Sequence, residues 1–398
     1  TPGFLIIPVE PDAADEDKVK SAADASVTAT SRATGIAADG VDGDTAKQVQ
    51  VTYNGTGAGL SASQTETYAS GNDIVANSNV VNATATSTTH AAAVGVTING
   101  EAAAKTTSTA DSVAAAIDLG GGNDALTNDA NGTLTASATS DVTALDVAVG
   151  VSSGSSSSDS KSKSAADGSA NASATAIGIA ADGVNGDMQK GLDIALNDDG
   201  LTLDYYKSET HASGDDVVRN SAAISAGASS IARSATVGVT VKGAASAEST
   251  SSTDARAAAI ELGGGSDTLV NDGALTSIAD STANALKAAV LTDGRATSSD
   301  GLWHGGTKSE ASATGIDAAG SASDTSTNAT LNVGGSSIHF LYDKTVDSAN
   351  TDGSDRITND GNILALASAT SNAANVSVSS EGTAAAVSHV EAKADAVG

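Results

Sequence analysis

A long repeat held in register constrains this chain more than any other feature. Gly35-Ile36-Ala37-Ala38-Asp39-Gly40 returns as Gly178-Ile179-Ala180-Ala181-Asp182-Gly183, an offset of 143 (178 − 35). Ala69-Ser70-Gly71 and Leu119-Gly120-Gly121-Gly122 return at Ala212-Ser213-Gly214 and Leu262-Gly263-Gly264-Gly265, at the same offset. A third copy is looser, with Gly315-Ile316 137 residues after Gly178-Ile179. Such a chain reads as one array of stacked units and not as unlike domains. The expected division is an N-terminal apolar strand and acidic linker over 1–20, then copies over 21–163 and 164–300 and a partial copy over 301–398.

Within the unit runs a shorter signature, G-x-D-x-x-x-N. It occurs at Gly71/Asp73/Asn77, Gly122/Asp124/Asn128, Gly214/Asp216/Asn220, Gly265/Asp267/Asn271 and Gly353/Asp355/Asn359. An aliphatic residue stands two places after each Asp: Val75, Leu126, Val218, Leu269 and Ile357. Gly and Asn tolerate positive φ, and Asp and Asn hydrogen-bond nearby backbone, so the signature is turn chemistry leading into a strand. Between the turns, runs such as Val94-Gly95-Val96-Thr97-Ile98 and Ala172-Ser173-Ala174-Thr175-Ala176 alternate with period two. The expectation is all-β: an elongated β-solenoid, or a tightly stacked β-sandwich array built from internal repeats.

Composition sharpens this. Aromatic residues make up 2% of the 398, too few for the ring-filled core of an ordinary globular domain. The abundant Ala, Ser, Thr and Gly instead favour close approach of sheets. Low hydrophobicity with high charge is also the signature of disorder, and the register of the repeat argues against it. Six of the eight aromatics (Tyr53, Tyr68, Tyr205, Tyr206, Phe340 and Tyr342) fall between the Gly-Ile anchor and the next G-x-D turn, where a local core anchoring a hairpin is expected.

Forty-eight Asp and Glu against 19 Lys and Arg leave a net charge of −29, which excludes a nucleic-acid partner. No apolar run reaches the roughly 20 residues that span a bilayer. With no Cys there is no disulfide, thiolate nucleophile or Cys-ligated metal. His90, His211, His304, His339 and His389 lack metalloprotease spacing, and neither a nucleophile elbow nor a Walker loop occurs. No catalytic residue is assigned, and the reading is non-enzymatic. A β-helix polysaccharide-active enzyme is the enzymatic rival. Trp303-His304 is read as a local plug. Six N-x-S/T triplets (Asn54, Asn82, Asn131, Asn171, Asn328 and Asn375) are what chance yields in so Asn- and Ser-rich a chain.

The start at Thr1-Pro2, without Met, suggests a removed leader or a fragment. Phe4-Leu5-Ile6-Ile7-Pro8-Val9 is the densest large-apolar run, followed by the acidic stretch from Asp12 to Asp17. An apolar strand of this kind docks on a neighbouring subunit by strand addition, or caps its own array. The first reading makes Phe4, Leu5, Ile6, Ile7 and Val9 the subunit contact of a head-to-tail homopolymer.

Asn359-Asp360-Gly361-Asn362-Ile363 with the alternating Ala that follows, and Asn271-Asp272-Gly273-Ala274-Leu275, resemble the Ala/Ser/Thr-rich β-strand repeats of bacterial surface proteins of the haemagglutinin and autotransporter-passenger type. Gly120-Gly121-Gly122-Asn123-Asp124-Ala125-Leu126 and Gly263-Gly264-Gly265-Ser266-Asp267-Thr268-Leu269 resemble the haemolysin-type calcium-binding nonapeptide from its second Gly onward. Here the turns stand 51 residues apart (122 − 71) and are not tandem. The resemblance implies a secreted, extracellular or cell-surface structural or adhesive protein, with cell-surface or polysaccharide contact. It also implies Ca2+ as cofactor, held by Asp73, Asp124, Asp216, Asp267 and Asp355. The alternative for those Asp residues is turn capping. The functional expectation is the structural subunit of an extracellular filament or matrix. Its alternative is a monomeric, calcium-stabilised adhesin stalk.

Overall fold

The computed structural model describes residues 19–38, 44–53, 58–67, 71–98, 100–151, 162–182, 187–197, 200–210, 214–299, 306–318, 324–334, 337–347 and 354–398. Phe4 to Val9 and Trp303-His304 lie outside them. The described residues are all-β and include no helix.

The chain runs in similar passes. β1 (Val19–Ala37) is followed by a hairpin, β2 (Asp44–Tyr53) and β3 (Ala58–Thr67). Next come β4 (Ile74–Asn77), β5 (Val81–Ile98) and β6 (Gly100–Asp118), then β7 (Ala125–Asn128), β8 (Leu134–Val151) and β9 (Ser162–Ala180) with the hairpin β10 (Asp187–Asn197) and β11 (Gly200–Thr210). β12 (Val217–Asn220) leads into the 38-residue β13 (Ile224–Glu261). β14 (Thr268–Asn271), β15 (Leu275–Ser299) and β16 (Thr307–Asp317) precede the hairpin β17 (Asp324–Gly334) and β18 (Ser337–Asp347). β19 (Arg356–Asn359), β20 (Ile363–Ala386) and β21 (Val390–Val397) end the chain.

Three sheets result. The short strands pair in parallel in the order β19-β14-β12-β7-β4. The long strands form a ten-stranded parallel sheet with two walls, because β13, β15 and β20 each continue from one wall into the other. One wall contains β5, β8 and the first parts of β13, β15 and β20; the other contains β1, β6, β9, β16, β21 and the remainders of β13, β15 and β20. The hairpins make a third, fully antiparallel sheet, β18-β17-β11-β10-β3-β2. Val81 lies beside Leu134, and Leu134 beside Ile224. Residues 143 apart (224 − 81) are therefore two strands apart, and turns 51 residues apart in sequence are direct neighbours in space.

Side-chain size sets the cross-section. Where the short-strand sheet meets the two walls the core holds large aliphatics, including Leu126, Leu134, Val218, Ile224, Leu269 and Leu275. The aliphatics two places after Asp124, Asp216 and Asp267 are thus core residues, at most 1% exposed. Farther along, the walls converge and their inner faces carry Ala, Ser and Thr. Cα atoms of β6 and β8, on opposite walls, come within 8 Å, inside the roughly 10 Å usual for packed sheets. Gly238 shows how tight this is, since a Cβ there would lie 2.4 Å from the Ser246 carbonyl oxygen of the facing wall.

Buried hydroxyls join the walls. Ser108 Oγ donates to Thr89 Oγ1 at 2.8 Å, Ser251 Oγ to the Ala232 carbonyl at 3.0 Å, and Ser281 Oγ to Thr253 Oγ1 at 2.7 Å. Ala fills a narrow gap without side-chain entropy cost, and Ser or Thr satisfies its hydroxyl across it. That explains a composition so short of rings.

Candidate functional site: the stacked turns and the hairpin sheet

The G-x-D-x-x-x-N turns stack through three side-chain ladders. In the first, the backbone N–H of Asp73 donates to Asp124 Oδ1 at 2.7 Å, and that of Asp124 to Asp216 Oδ1 at 2.7 Å. Asp216 N–H then donates to Asp267 Oδ1 at 2.8 Å, and Asp267 N–H to Asp355 Oδ1 at 3.0 Å. All five candidate calcium ligands therefore lie in one column, where four of them accept a backbone N–H from the neighbouring turn. This is the capping chemistry weighed above as the alternative. Among the described residues no group of three or more His, Asp or Glu is spaced to hold a metal ion.

The second ladder is Asn on Asn. Asn77 Nδ2 donates to Asn128 Oδ1 at 2.8 Å, and the links Asn128–Asn220, Asn220–Asn271 and Asn271–Asn359 are each 2.6 Å. The second amide hydrogen of Asn220 goes to the Ala222 carbonyl, and that of Asn271 to the Gly273 carbonyl, both at 2.8 Å. Asn alone among short side chains can donate twice and accept at once, which fixes the residue type.

The third ladder uses the variable position of the signature. Asn123 N–H donates to Asn72 Oδ1, Asp215 N–H to Asn123 Oδ1 and Ser266 N–H to Asp215 Oδ1, at 2.8–2.9 Å. Sequence reasoning missed it because Asn, Asp and Ser share acceptor chemistry and not identity. It missed Asp182 too, whose Oδ2 accepts the Gly264 N–H at 2.6 Å in the adjoining turn. Gly263 and Gly265 there have φ of 80° and 121°, which suits Gly.

The column is electrostatically loaded. Asp216 and Asp267 are each 1% exposed, and their Oδ2 atoms have no hydrogen-bond partner among the described residues. Burial pushes the Asp216 carboxyl up to about 7, with the neighbouring Asp267 and Asp124 carboxylates adding to it. Burial likewise pushes Asp267 up to about 6, and Asp182 up to about 8. At neutral pH the stack favours protons or a cation near these oxygens.

The hairpin sheet carries the aromatics. Tyr53, Tyr205, Phe340 and Tyr342 sit on hairpin strands as expected, but at 80, 38, 68 and 57% exposure they are no local core. Tyr206 alone is half-buried, its ring lying over Gly191 of the paired strand, and Tyr68 lies outside the described residues. The reason for the exposure is that the six hairpin strands make extensive contacts only with one another. Val51, Leu60, Ile194, Leu203, Leu331 and Phe340 are paired in one row across all six strands, on one face.

No helix among the described residues is long and apolar enough to cross a membrane. Comparison with known proteins found no matching family model, curated protein or solved structure.

Proposed function

We propose that the chain is a β-solenoid serving as a non-enzymatic structural subunit of an extracellular, bacterial-surface-type filament or matrix, in which copies stack end to end. The open ends of the ladders carry this reading. At one end β19, β20 and β21 present parallel edges unpaired among the described residues, with Leu364, Leu366, Val376 and Val378 about half exposed. At the other end β1, β4 and β5 are the edge strands, with Ile74, Val94 and Val96 exposed. The Asp ladder is directional: Asp355 ends it with a backbone N–H, and Asp73 begins it with a carboxylate. A donor edge and an acceptor edge on opposite ends favour head-to-tail addition over closed pairing.

The wall strands pair in parallel, each with the next pass. β1 pairs with β6 at an offset of 81 (100 − 19). In the proposed filament, Phe4, Leu5, Ile6, Ile7 and Val9 add as a strand on the exposed edge of a neighbour's β20.

Negative-stain electron microscopy tests both parts. Long uniform filaments are expected, and deletion of residues 1–10 abolishes them. Filaments unchanged by the deletion reject the docking strand. Dispersed rods from the intact chain reject self-assembly and favour the second reading, a monomeric calcium-stabilised stalk. That reading has its own support in the partnerless oxygens of Asp216 and Asp267. It requires that Ca2+ raise the melting temperature and that chelation reverse the gain.

A further inference from the structure

The hairpin sheet is a single layer with two unlike faces. On one face, the row from Val51 to Phe340 is flanked by a row containing Val49, Leu192, Tyr205 and Tyr342 and another containing Tyr53, Leu196, Leu201 and Val333. Val49, Val51, Tyr53 and Phe340 are 68–80% exposed. Charge is distributed unevenly between the faces. Lys47, Lys190 and Lys207 share the next row of the apolar face and Glu66 and Glu209 the row beyond it, with Lys207 Nζ 3.4 Å from Glu209 Oε2, whereas Asp187, Asp193, Asp204 and Asp343 fall on the other face.

We propose that this face pairs with the same face of a second copy, turning two single layers into a two-layer sandwich. Its size suits that occupant. Six strands about 4.8 Å apart and about ten residues long present a face on the order of 900 Å². A stable protein interface buries about 800 Å² per partner. The three apolar rows of this face, roughly 550 Å², reach the top of the range of about 300–600 Å² for the largest apolar patch on a typical monomer. Charge selects the same pairing. In a chain of net charge −29, this face carries the lysine row against only Glu66 and Glu209, so two copies meeting there oppose fewer carboxylates than they would through the Asp-bearing face. A two-fold axis across the strands sets the base of each hairpin sheet against the partner's tips. The two lysine rows then lie at opposite ends and the bodies on opposite sides. This contact is lateral and independent of end-to-end stacking.

The test uses the full chain. Phe340 and Leu341 are both about two-thirds exposed, at 68% and 67%, and point to opposite faces. Sedimentation velocity across the micromolar range is expected to show a reversible dimer, or paired filaments by electron microscopy where filaments form. The double variant V51E/F340E raises the dissociation constant by about 100-fold or more, or leaves single filaments, with an unchanged circular dichroism spectrum. L341E leaves pairing intact. Monomers at all concentrations, or single filaments from the unmodified chain, overturn the proposal. So does pairing that L341E weakens as much as V51E/F340E, and so does apolar-face-dependent binding to anionic phosphatidylserine vesicles without pairing. Loss of filaments on deleting residues 1–10, with lateral dimers retained, would separate the two contacts.

Discussion

The Asn220 side-chain amide donates to Asn271 Oδ1 at 2.6 Å and accepts from Asn128 at 2.6 Å, so one residue joins three successive turns. Asn220 is 1% exposed, and its remaining amide hydrogen is used by the Ala222 carbonyl. Asn220→Asp removes both donors and adds a buried charge. It is expected to cost about 3 kcal/mol or more in urea unfolding. Asn359 ends the ladder on the fully exposed strand β19, and Asn359→Ala there should cost about 1 kcal/mol or less. Equal losses at the two sites would contradict the ladder as a source of stability.

Two glycines of β13 separate wall spacing from strand propensity. Gly238 faces the opposite wall, where a Cβ would lie 2.4 Å from a carbonyl oxygen, whereas a Cβ at Gly227 meets nothing within 4 Å. Gly238→Ala forces two backbones apart and is expected to destabilise by roughly 1–3 kcal/mol. Gly227→Ala should be neutral or slightly stabilising, because Gly weakens a strand interior. Chemical denaturation of the two variants checks the pair directly.

Asp146 sets a pH dependence away from the stacked turns. It is 0% exposed on β8, and its Oδ2 accepts the Thr106 hydroxyl at 2.7 Å. Burial pushes its carboxyl up to about 7 from an ordinary 3.8, and Asp167 and Asp24 add to the shift. Thr236 separates it in register from the buried Lys287, two strands away. The folded state therefore holds a proton that the unfolded state releases between about 4 and 7. Its contribution to stability is full below pH 3.8 and is lost as pH rises through 7. Asp146→Asn is expected to raise stability at pH 8 by roughly 2–4 kcal/mol and to change little near pH 4. A variant equally destabilised at both pH values would mean that the carboxylate is needed for packing.

Much of this was legible in residue pattern, for local reasons. The aliphatic two places after each Asp must turn inward if the Asp caps its turn, and Leu126, Val218 and Leu269 do. Period-two alternation marked Val94 to Ile98 and Ala172 to Ala176 as strands, and they lie in β5 and β9. What stayed hidden were relations that depend on which strands become neighbours. Asp124 pairs beside Asp73 but also beside Asp216, 92 residues away, and no local spacing states that. The exposure of Tyr53 and Phe340 was hidden for the same reason. A short alternating apolar strand looks the same whether it covers a body or stands in a single layer, and only the absence of body contacts distinguishes the two.

The hairpins recur at every second step of the walls for a geometric reason, and this yields the last prediction. Each hairpin is two strands wide, so hairpins spaced two wall strands apart, each about 4.8 Å, abut without a gap. Accordingly β3 pairs with β10, and β11 with β17. Elsewhere the same corner is turned by Leu119 to Gly122 or Leu262 to Gly265, with φ of 119° and 121° at Gly122 and Gly265. Replacing residues 181–213 with Leu-Gly-Gly removes the middle hairpin and supplies that shorter turn before Gly214. The walls and the Asp and Asn ladders should keep their hydrogen-exchange protection. β2–β3 and β17–β18 become isolated two-stranded hairpins, which are marginal in water, and are expected to lose protection. Loss of protection in β13 would instead mean that the hairpin sheet braces the walls. Retained protection in both outer hairpins would mean that something other than edge-to-edge pairing holds them.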